Sequence, residues 1–259
     1  MNIECEDLAK LEKIRGEALN KGGIIYRYNN DILFKVVGDC FEKIERNIDI
    51  QIKEHIPNTP FIYDKLYNKG SFIGYSMEYL KNSITMRSAT KLNIDFDSCV
   101  KIIQDIYETV KYLHKKDLLL GDVHMDNFMI DDKGRGYVID LDGIFFSNEI
   151  NELQDLYSIK LKSDGCRIAF NNKKTDNIKT MICCLSLILG VDLESEYINK
   201  SEIDIEKIYN KYIKKLGIRE LDNYFYRIIN GEDIEYFDDF LRGNYYNFYD
   251  SEKVRTIKK

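Results

Sequence analysis

Two carboxylates and one amide are spaced so that a short β-hairpin would bring them together. Asn127 follows Asp122 by five residues and precedes Asp140 by thirteen. The residues between Asn127 and Asp140 form two apolar runs joined by the turn-forming segment 131–136. Apolar runs on either side of such a turn are typical of a hairpin, whose two ends lie side by side. The sequence therefore predicts that Asn127 and Asp140 meet at the open end of a hairpin, close to Asp122.

These groups are the ones that a phosphoryl-transfer site requires. One acid must accept or orient the proton of the incoming hydroxyl group, while an amide and a second acid hold the magnesium ion that bridges the phosphates. The second apolar run is followed by two acids, Asp140 and Asp142. Asp140 is favoured because it follows the strand directly and has the expected spacing from Asn127. The alternative that involves no function is a surface hairpin rich in Asp and Asn side chains.

The composition of the 259-residue chain excludes some classes of function. Its formal net charge is -6, whereas non-specific nucleic-acid binding needs a basic surface, so we expect no nucleic-acid partner. No apolar segment is long enough to cross a membrane, and the first residues are acidic, unlike a leader sequence. The six cysteines lack metal-binding spacing, which favours reduced side chains. We therefore expect a cytoplasmic protein without a membrane partner.

Residue patterns predict strands and one helix in the first third of the chain. Apolar and aromatic runs at 24–28 and 32–37 flank a turn of Asn and Asp residues, which indicates a hairpin. Isoleucines recur every fourth residue from Ile44 to Ile56, which predicts a helix that Pro57 would end. Two more strands are expected after this helix, near 61–67 and 72–77.

The rest of the chain has mainly helical patterns. An apolar stripe predicts a helix that ends near Leu113, before the hairpin. The segment 143–175 shows weak periodicity and is expected to be a loop. A nearly all-apolar helix is expected from Ile178 to Gly190, where glycine favours a helix end. Two or three further helices, rich in Tyr and Phe, are expected up to residue 249.

The stretch Gly-Asp122-Val-His-Met-Asp-Asn127 resembles the G-D-x-H-x-x-N loop of the aminoglycoside and choline phosphotransferases, a branch of the protein-kinase-like superfamily. The resemblance implies a two-lobed α+β fold, with a small antiparallel β-rich lobe with one helix at 1–78 and a larger, mainly helical lobe at 79–259. It implies that Asp122 is the catalytic base or hydroxyl-orienting acid. It also implies that Asn127 and Asp140 are magnesium ligands, with Asp140 in the place of the D-F-G aspartate. Asp142 is a further candidate that would approach a second metal ion.

Lys35 interrupts the apolar run at 33–37. A lysine among apolar neighbours in the middle of a strand needs a charged partner. The run resembles the V-A-I-K strand of kinases, whose lysine contacts the α- and β-phosphates of the nucleotide. Within this resemblance Glu45 is the expected partner of Lys35, and Glu42 and Glu54 are the alternatives. The other interpretation is a solvated lysine on an edge strand.

Two more segments resemble nucleotide-binding parts of kinases. Met77-Glu78-Tyr79-Leu80 resembles the M-E-Y-L hinge, which implies that Met77 lines the back of the pocket. The carbonyl group of Glu78 and the amide of Leu80 would then bond the adenine edge. Gly23 resembles the last glycine of the glycine-rich loop, and its alternative role is an ordinary hairpin turn.

Three polar residues around the catalytic stretch are expected to support it. His124 is expected to hydrogen-bond the backbone of the loop rather than to transfer a proton. His114 is expected to make a structural contact. Asp176 resembles the acid that anchors the loop backbone from the central helix of the larger lobe, and it is also a candidate for the N-cap of that helix.

The resemblance implies an enzyme that transfers the γ-phosphate of ATP, with Mg²⁺, to a hydroxyl group. A compact protein kinase acting on Ser or Thr is favoured, since there is little room for the helical insertion of the small-molecule enzymes. The alternative is a small-molecule kinase, which the missing A-P-E motif favours, and the Tyr-rich C-terminal part would then be able to enclose a quaternary amine. A second class of function is a pseudokinase, which would bind nucleotide as a binding module. A third class is a non-catalytic interaction protein with an unrelated fold.

Overall fold

The structure, a computed structural model, describes most of the chain. The described residues are 1–15, 23–38, 41–149, 158–160, 167–169, 172–196 and 202–249. Within them the fold is α+β, as predicted, because a five-stranded antiparallel sheet precedes a part that is mainly helical. The arrangement in two lobes and the boundary at residue 78 stay predictions.

The first strands of the chain form the five-stranded sheet. They are β1 (Glu12–Arg15), β2 (Ile24–Arg27), β3 (Ile32–Val36), β4 (Ile62–Asn68) and β5 (Ser71–Glu78). Their order is β1-β2-β3-β5-β4, and all neighbours are antiparallel. The turn between β2 and β3 closes because Oδ1 of Asn29 accepts hydrogen bonds from the amides of Asp31 and Ile32, both at 2.8 Å. The predicted hairpin at this turn is confirmed, as are the two strands expected after the helix.

The side chains of β3 alternate between the two faces of the sheet. Phe34 packs with Leu66 and with Leu8 of helix α1 (Cys5–Leu8) on one face. Lys35 points to the other face and lies opposite Tyr75 of β5. Because β3 lies between β2 and β5, Lys35 belongs to an interior strand, and it is only 4% exposed. The interpretation of Lys35 as a solvated edge-strand lysine is therefore wrong.

Helix α2 (Phe41–Glu54) contacts two separate apolar clusters. Ile48 is fully buried in the cluster that covers the sheet, and Ile44 and Ile52 pack beside it. Ile50 lies on another side of the helix and packs against the large core of the helical part. The helix predicted from the four-residue spacing of the isoleucines is therefore confirmed, and the structure shows that Ile44, Ile48 and Ile52 face the sheet.

The remaining strands of the described chain are short and form three small sheets. They are β6 (Ile84–Thr85), β7 (Leu118–Leu119), β8 (Phe128–Ile130), β9 (Gly136–Val138), β10 (Phe145–Phe146), β11 (Ser158–Lys160), β12 (Arg167–Ala169) and β13 (Glu202–Asp204). Strands β6, β8 and β9 form one sheet, β7 pairs with β10, and β11 lies between β12 and β13. Since β10, β11 and β12 fall within 143–175, the loop prediction for that segment is wrong where the structure describes it.

Two long helices form the centre of the large core. The helices after α2 are α3 (Met86–Ala89), α4 (Phe96–Lys115), α5 (Lys173–Leu189), α6 (Ile205–Ile208), α7 (Arg219–Ile229), α8 (Phe237–Gly243) and α9 (Tyr245–Tyr249). Helices α4 and α5 each supply more buried side chains to this core than any other described element. After Gly190 the described residues contain four α-helices, α6 to α9, and the strand β13, so this part was correctly predicted to be mainly helical but has one helix more than the two or three expected. In the part of the chain that the structure describes, no helix is both long enough and apolar enough to cross a membrane.

Helix α5 is buried along nearly its whole length. The side chain of Asn172 caps its N-terminus in a reciprocal capping box with Thr175, and Gly190 ends it with φ of 64°. The helix end at Gly190 was predicted. Asp176 is not the N-cap, because it lies inside the first turn and is 1% exposed.

The described cysteine side chains agree with the prediction of reduced thiols. Cys99, Cys183 and Cys184 are buried, and none of these three forms a disulfide bond. Burial raises the pKa of the Cys183 and Cys184 thiols, which disfavours the reactive thiolate. The side chains of the other three cysteines lie outside the described residues.

Candidate active site

Strands β8 and β9 form the hairpin that the sequence predicts. Phe128 pairs with Val138, and the amide of Ile139 donates a 2.9 Å hydrogen bond to the carbonyl oxygen of Asn127. Asn127 therefore lies beside Ile139 at the open end of the hairpin, and Asp140 is the next residue. The structure thus brings the backbones of Asn127 and Asp140 together across thirteen positions of sequence.

The side chain of Asn127 ties Asp122 to this hairpin end. Its Nδ2 donates a hydrogen bond of 3.0 Å to the carbonyl oxygen of Asp122. Asn127 is 6% exposed, whereas the side chain of Asp122 is 73% exposed. The amide nitrogen, not the amide oxygen, is used in this contact, and the Asp122 carboxylate faces solvent.

Lys35 of β3 reaches the turn that follows the hairpin. Its ammonium group forms ion pairs with the carboxylates of Asp140 and, at 2.7 Å, of Asp142. Burial would lower the pKa of Lys35, but Tyr75, Asp142 and Asp140 outweigh it and raise that pKa above its ordinary value. Lys35 is therefore charged at neutral pH and joins the sheet to the turn.

The two acids of this turn have different surroundings. The side chain of Asp140 is 39% exposed, whereas that of Asp142 is 13% exposed. Burial raises the pKa of Asp142 even though Lys35 opposes the shift. The hydroxyl group of Tyr75 lies 3.5 Å from Asp142, and burial keeps the pKa of Tyr75 well above its ordinary value. Asp142 is therefore enclosed, and Asp140 is the acid that solvent and small ions reach.

The backbone of Asp140 adopts a left-handed conformation, with φ of 66° and ψ of 38°. Asp accepts this conformation more readily than most residues, but the conformation is still uncommon outside glycine. A single turn of 3-10 helix, Leu141–Gly143, follows immediately. This sharp change of direction places the carboxylates of Asp140 and Asp142 on the same ammonium group.

The predicted partnership of Lys35 with Glu45 is wrong. Glu45 accepts hydrogen bonds from Lys65 at 3.1 Å and from the hydroxyl group of Tyr67 at 2.7 Å. The Tyr67 and Lys65 hydrogen bonds lower the pKa of Glu45. The acid thus belongs to a surface group on the β4 side of helix α2, and it does not contact Lys35.

The two alternative acids do not contact Lys35 either. Glu54 pairs with Lys116 at 2.7 Å and with the hydroxyl group of Tyr112 at 2.9 Å. Glu42 is exposed. The carboxylates that balance Lys35 therefore come from the hairpin turn and not from helix α2.

Helix α2 contributes an amide instead, which the sequence did not single out. Nδ2 of Asn47 donates to the carbonyl oxygens of Asp142 and Ile144, each at 2.7 Å. Asn47 is fully buried. The signal in the sequence is a polar residue next to Ile48 of the isoleucine stripe, whereas the predicted partners of Lys35 were all acids.

A second group of contacts holds the loop 120–127 from the side of the helical core. The carboxylate of Asp176 accepts a 2.7 Å hydrogen bond from the amide of Leu120 and lies 3.2 Å from Nε2 of His114. Nδ1 of His114 lies 2.9 Å from the hydroxyl group of Tyr236. The prediction that Asp176 anchors the loop backbone is confirmed, and so is the structural contact of His114.

A partly buried ion network, which the sequence analysis did not predict, holds the middle of the same loop. Arg87 of α3 pairs with Asp126 at 2.9 Å and also with Asp192 and Glu194. Glu194 accepts a 3.0 Å hydrogen bond from the amide of Met125, and it is 2% exposed. Burial raises the pKa of Glu194, although Met125 and Arg87 oppose the shift. The loop is thus fixed at Leu120 by one acid and at Met125 by another.

His124 contacts a side chain rather than the loop backbone. Its Nε2 lies 3.3 Å from the carboxylate of Asp122. Burial would raise the pKa of Asp122 and lower that of His124, but other groups outweigh burial in both cases. For Asp122 these groups are His124, Lys179 and Asn127, and for His124 they are Asp122, Glu194 and Asp126. The pKa of Asp122 is therefore lowered and that of His124 raised. The predicted hydrogen bond from His124 to the backbone is replaced by this pair.

The segment expected to contact adenine directly follows β5. Met77 lies opposite Leu33 in the sheet, on the same face as Lys35. The amide of Glu78 donates to the carbonyl oxygen of Phe61 at 2.8 Å, and the carbonyl oxygen of Leu80 accepts from Ser83 at 2.5 Å. The backbone of the segment is therefore fixed by hydrogen bonds at Glu78 and at Leu80. The predicted contacts of the segment with adenine stay predictions.

A shallow depression of about 360 Å³ lies beside this segment. It is lined by Arg27, Asn30, Tyr79, Lys81 and Asn82. Its two cations already have partners, since Arg27 pairs with Glu12 and Lys81 with Asp31. The depression therefore offers no free charge to a ligand.

Gly23 is required by its conformation. Its φ is 89°, and a Cβ atom there would lie 2.5 Å from the carbonyl oxygen of Val36. This contact brings the start of β2 close to the end of β3. The other glycines near it, Gly16 and Gly22, lie outside the described residues.

A scan against protein-family models gives no match to this chain, and a search of the curated proteins gives no significant match. Among the described residues, no three Asp, Glu, His or Cys side chains form a metal-binding group. The oxygen donors that the hairpin brings to one end are two carboxylates and an amide, on Asp140, Asp142 and Asn127.

Proposed function

We propose that this protein is a phosphotransferase that moves the γ-phosphate of ATP, with Mg²⁺, to a hydroxyl acceptor, and that it has a two-lobed protein-kinase-like fold. The observation that carries the proposal is the ion pair of Lys35 with Asp140, at the hairpin end where Asn127 also lies. The chain separates Lys35 from Asp140 by 105 residues. A buried lysine beside a carboxylate and an amide is the arrangement that positions nucleotide phosphates and their metal ion.

The oxygen donors present fit magnesium. This ion usually binds one or two carboxylates and completes its shell with water and phosphate oxygens, so a dedicated group of three acids is unnecessary. Asp140 offers an accessible carboxylate, and Asn127 uses its nitrogen, not its oxygen, to hold Asp122. Asp142 is the candidate for a second ion. When bound, Mg²⁺ would neutralise charge on the β- and γ-phosphates.

The other residues have roles that follow from their charge and exposure. Lys35 is cationic and directed at the metal-binding turn, so it would hold the α- and β-phosphates. Asp122 is exposed and its pKa is lowered, so its carboxylate is ionised and would orient the acceptor hydroxyl group. Positioning and charge neutralisation would supply most of the rate acceleration.

The nucleotide base would lie against the segment after β5. Met77 and Leu33 present apolar side chains on the sheet face that carries Lys35, which suits a planar base next to its phosphates. The carbonyl group of Glu78 and the amide of Leu80 would bond the adenine edge. Gly23 would let the strand ends approach the phosphates closely.

The acceptor that we favour is a Ser or Thr hydroxyl group of a protein, and a small amino-alcohol or aminoglycoside is the alternative. Tyr224 is buried and Tyr245 packs on Phe96, so these tyrosines have packing roles. Tyr226 and Tyr246 are exposed. We place the enzyme in the cytoplasm, without nucleic-acid or membrane partners.

One observation favours a second candidate, a pseudokinase that binds nucleotide without transferring phosphate. Lys35 has no acidic partner from helix α2, because Glu45 pairs with Lys65 instead. In such a module Lys35 would stay on Asp140 and Asp142, and phosphate positioning would be poor. The presence of Asp122, Asn127 and Asp140 together argues for catalysis.

The test is transfer of labelled γ-phosphate from ATP with Mg²⁺. The acceptors would be the protein itself, generic protein substrates, and a panel of amino-alcohols and aminoglycosides. Asp122→Ala should abolish transfer but keep the rise in melting temperature that ATP and Mg²⁺ produce. The matched control is Asp132→Asn, an exposed acid in the turn of the same hairpin, which should transfer normally.

Each outcome has a distinct meaning. Transfer that is lost in Asp122→Ala and kept in Asp132→Asn supports the enzyme. A Mg²⁺-dependent thermal shift with no transfer to any acceptor supports the binding module. If neither transfer nor a Mg²⁺-dependent shift occurs in the wild type, both proposals are wrong.

A further inference from the structure

Helix α2 contacts the segment after the hairpin with three side chains from two of its turns. The Arg46 guanidinium group pairs with Glu149 and lies 5.5 Å from the centre of the Phe146 ring. Lys43 lies 5.5 Å from the centre of the Phe145 ring. Asn47 lies at the same side of the helix, four residues after Lys43, and is the only one of the three that is fully buried.

The amide of Asn47 has one orientation that fits all its neighbours. Its Nδ2 faces two carbonyl oxygens, those of Asp142 and Ile144, which can only accept hydrogen bonds. Its Oδ1 accepts from the guanidinium group of Arg46 at 3.1 Å. The nitrogen therefore bridges two backbone positions of the turn, and both hydrogens of the amide are used.

These two hydrogen bonds act on the backbone that carries the carboxylates. Asp140 begins the turn in a left-handed conformation, and Ile144 ends it. Fixing the carbonyl groups at 142 and 144 limits rotation of the turn, and thereby the direction in which the side chains of Asp140 and Asp142 point. Carboxylates that bind metal are commonly held by such outer contacts, and loss of one costs about 10- to 100-fold in metal affinity or activity.

We propose that Asn47 is a positioning residue of the magnesium site, through which helix α2 orients the turn 140–144. Helix α2 would then influence metal affinity through the hydrogen bonds that Asn47 donates to the backbone of the turn. The resemblance to kinases had implied a different link, an acid of helix α2 that pairs with Lys35. This inference deepens the proposed function and rests on it for the metal. The fixing of the turn itself does not depend on any ligand.

The test compares substitutions of Asn47 with a matched control on the same helix. Asn47→Leu removes the donor at similar volume, and Asn47→Asp keeps the shape but replaces the donor by an acceptor. Asn47→Gln keeps the donor on a longer side chain and serves as the rescue variant. The control is Gln51→Leu, one turn later, whose Nε2 donates a hydrogen bond within the helix, 3.4 Å from the carbonyl oxygen of Asn47.

Two readouts separate positioning from general stability. The first is the Mg²⁺ concentration that gives half-maximal phosphate transfer, which should rise about 10- to 100-fold in Asn47→Leu and Asn47→Asp. It should rise less in Asn47→Gln and not at all in Gln51→Leu. The second is hydrogen exchange of the backbone amides at 141–146 without nucleotide, which should become faster in the first two variants only. The KM for the acceptor should stay unchanged.

The outcomes distinguish failure of this inference from failure of the proposed function. Wild-type Mg²⁺ dependence and wild-type exchange in Asn47→Leu would overturn the role of Asn47 in an active enzyme. If the wild type transfers no phosphate, the proposed function fails, and exchange at 141–146 alone then decides whether Asn47 fixes the turn. Should Asn47→Leu not fold, Asn47→Asp and Asn47→Gln give the same comparison.

Discussion

The ammonium group of Lys35 lies 2.7 Å from the carboxylate of Asp142 and also contacts Asp140, so one cation serves two anions. Lys35 is in the middle of the sheet, and both acids are in the turn after the β8–β9 hairpin. These ion pairs connect the five-stranded sheet to the turn that follows the β8–β9 hairpin. The two carboxylates outnumber this one ammonium group, and the remaining negative charge would attract a cation to the turn.

Replacing Lys35 should destabilise the protein through the acid that it leaves buried. Lys35→Met removes the only cation found on Asp142 among the described residues, and the side chain of that acid is 13% exposed. Removal of one partner from a buried pair costs about 3 kcal/mol or more, and the exposure of Asp140 places the expected loss at that lower limit. Urea unfolding at pH 7 measures it. Addition of Asp142→Asn to Lys35→Met should restore part of the loss.

The matched control for this substitution is Lys65→Met. Lys65 pairs with Glu45 and Asp49, and the Asp49 side chain is 57% exposed. Such surface pairs contribute about 0 to 1 kcal/mol, so Lys65→Met should change the unfolding free energy by no more than that. Equal losses in the two variants would show that the Lys35 contacts are no stronger than a surface ion pair.

Helical geometry explains why the predicted pairing of Glu45 with Lys35 is wrong. Successive residues of an α-helix are rotated by about 100°, so Glu45 and Asn47 point about 200° apart, to opposite sides of α2. The spacing of the isoleucines predicted the helix, and Ile44, Ile48 and Ile52 mark the side that meets the sheet. The isoleucine spacing did not predict which flank of helix α2 faces the turn 140–144. That flank is set by the way the turn and the helical core pack against the helix. Glu45 lies on the β4 flank and Asn47 on the flank of the turn.

Local patterns predicted the features that depend on neighbouring residues. The hairpin that joins Asn127 to Asp140, the burial of Lys35 and the helix ending at Gly190 each follow from short runs of the chain. The ion network of Arg87 could not be read in this way. Its acids, Asp126 and Glu194, lie 39 and 107 residues away in the sequence, and their convergence is set by tertiary packing.

The pKa of His124 should depend on Asp122. The contact between them raises the pKa of His124, so Asp122→Asn should lower it towards its value in an unstructured peptide. A two-dimensional NMR titration of the ring protons measures this directly, since the chain has three histidines. Asp132→Asn removes a charge in the same hairpin without contacting the ring and should leave the titration unchanged. An unaltered pKa in Asp122→Asn would mean that the pair does not form in solution.

The same pair predicts how stability depends on pH. The pKa of His124 is raised in the folded protein, so its contribution is complete below the ordinary pKa of histidine and is lost as pH rises through the raised value. The pKa of Asp122 is lowered, so its contribution is present above the ordinary pKa of aspartate and is lost in acid. His124→Gln should therefore be less stable than the wild type between these limits, by about 0.5 kcal/mol because Asp122 is largely exposed. Urea unfolding at pH 5.5 and pH 9 should show the difference only at the lower pH.

Two glycines in left-handed conformations should differ in their tolerance of alanine. Gly23 and Gly134 have φ of 89° and 72°, but a Cβ atom at Gly23 would meet the carbonyl oxygen of Val36 at 2.5 Å, whereas nothing lies within 4 Å at Gly134. Gly134→Ala should cost about 1 to 2 kcal/mol for the conformation alone. Gly23→Ala should cost more, since two strands must separate. Thermal unfolding of both variants tests the difference, and equal losses would mean that the close approach of β2 to β3 is relieved easily.

If the proposed function is correct, substitution of the two acids of the turn should show which of them binds Mg²⁺. Asp140 is the more exposed acid, while Asp142 is enclosed by Lys35 and Tyr75. We expect Asp140→Asn to remove the thermal stabilisation that Mg²⁺ and ATP add together, because an accessible carboxylate is replaced by a neutral amide. That stabilisation amounts to about 2.7 kcal/mol at a ligand concentration 100 times the Kd. Asp142→Asn should keep most of it.

The two variants should also differ without ligand, which provides an internal control. Burial raises the pKa of Asp142, so neutralising this acid relieves a desolvation cost while removing one partner of Lys35. Asp142→Asn should therefore change the unfolding free energy without removing the response to Mg²⁺ and ATP. If Asp142→Asn removes the response and Asp140→Asn keeps it, the metal ligand lies two residues further along the chain, and the enclosed acid must become accessible when nucleotide binds.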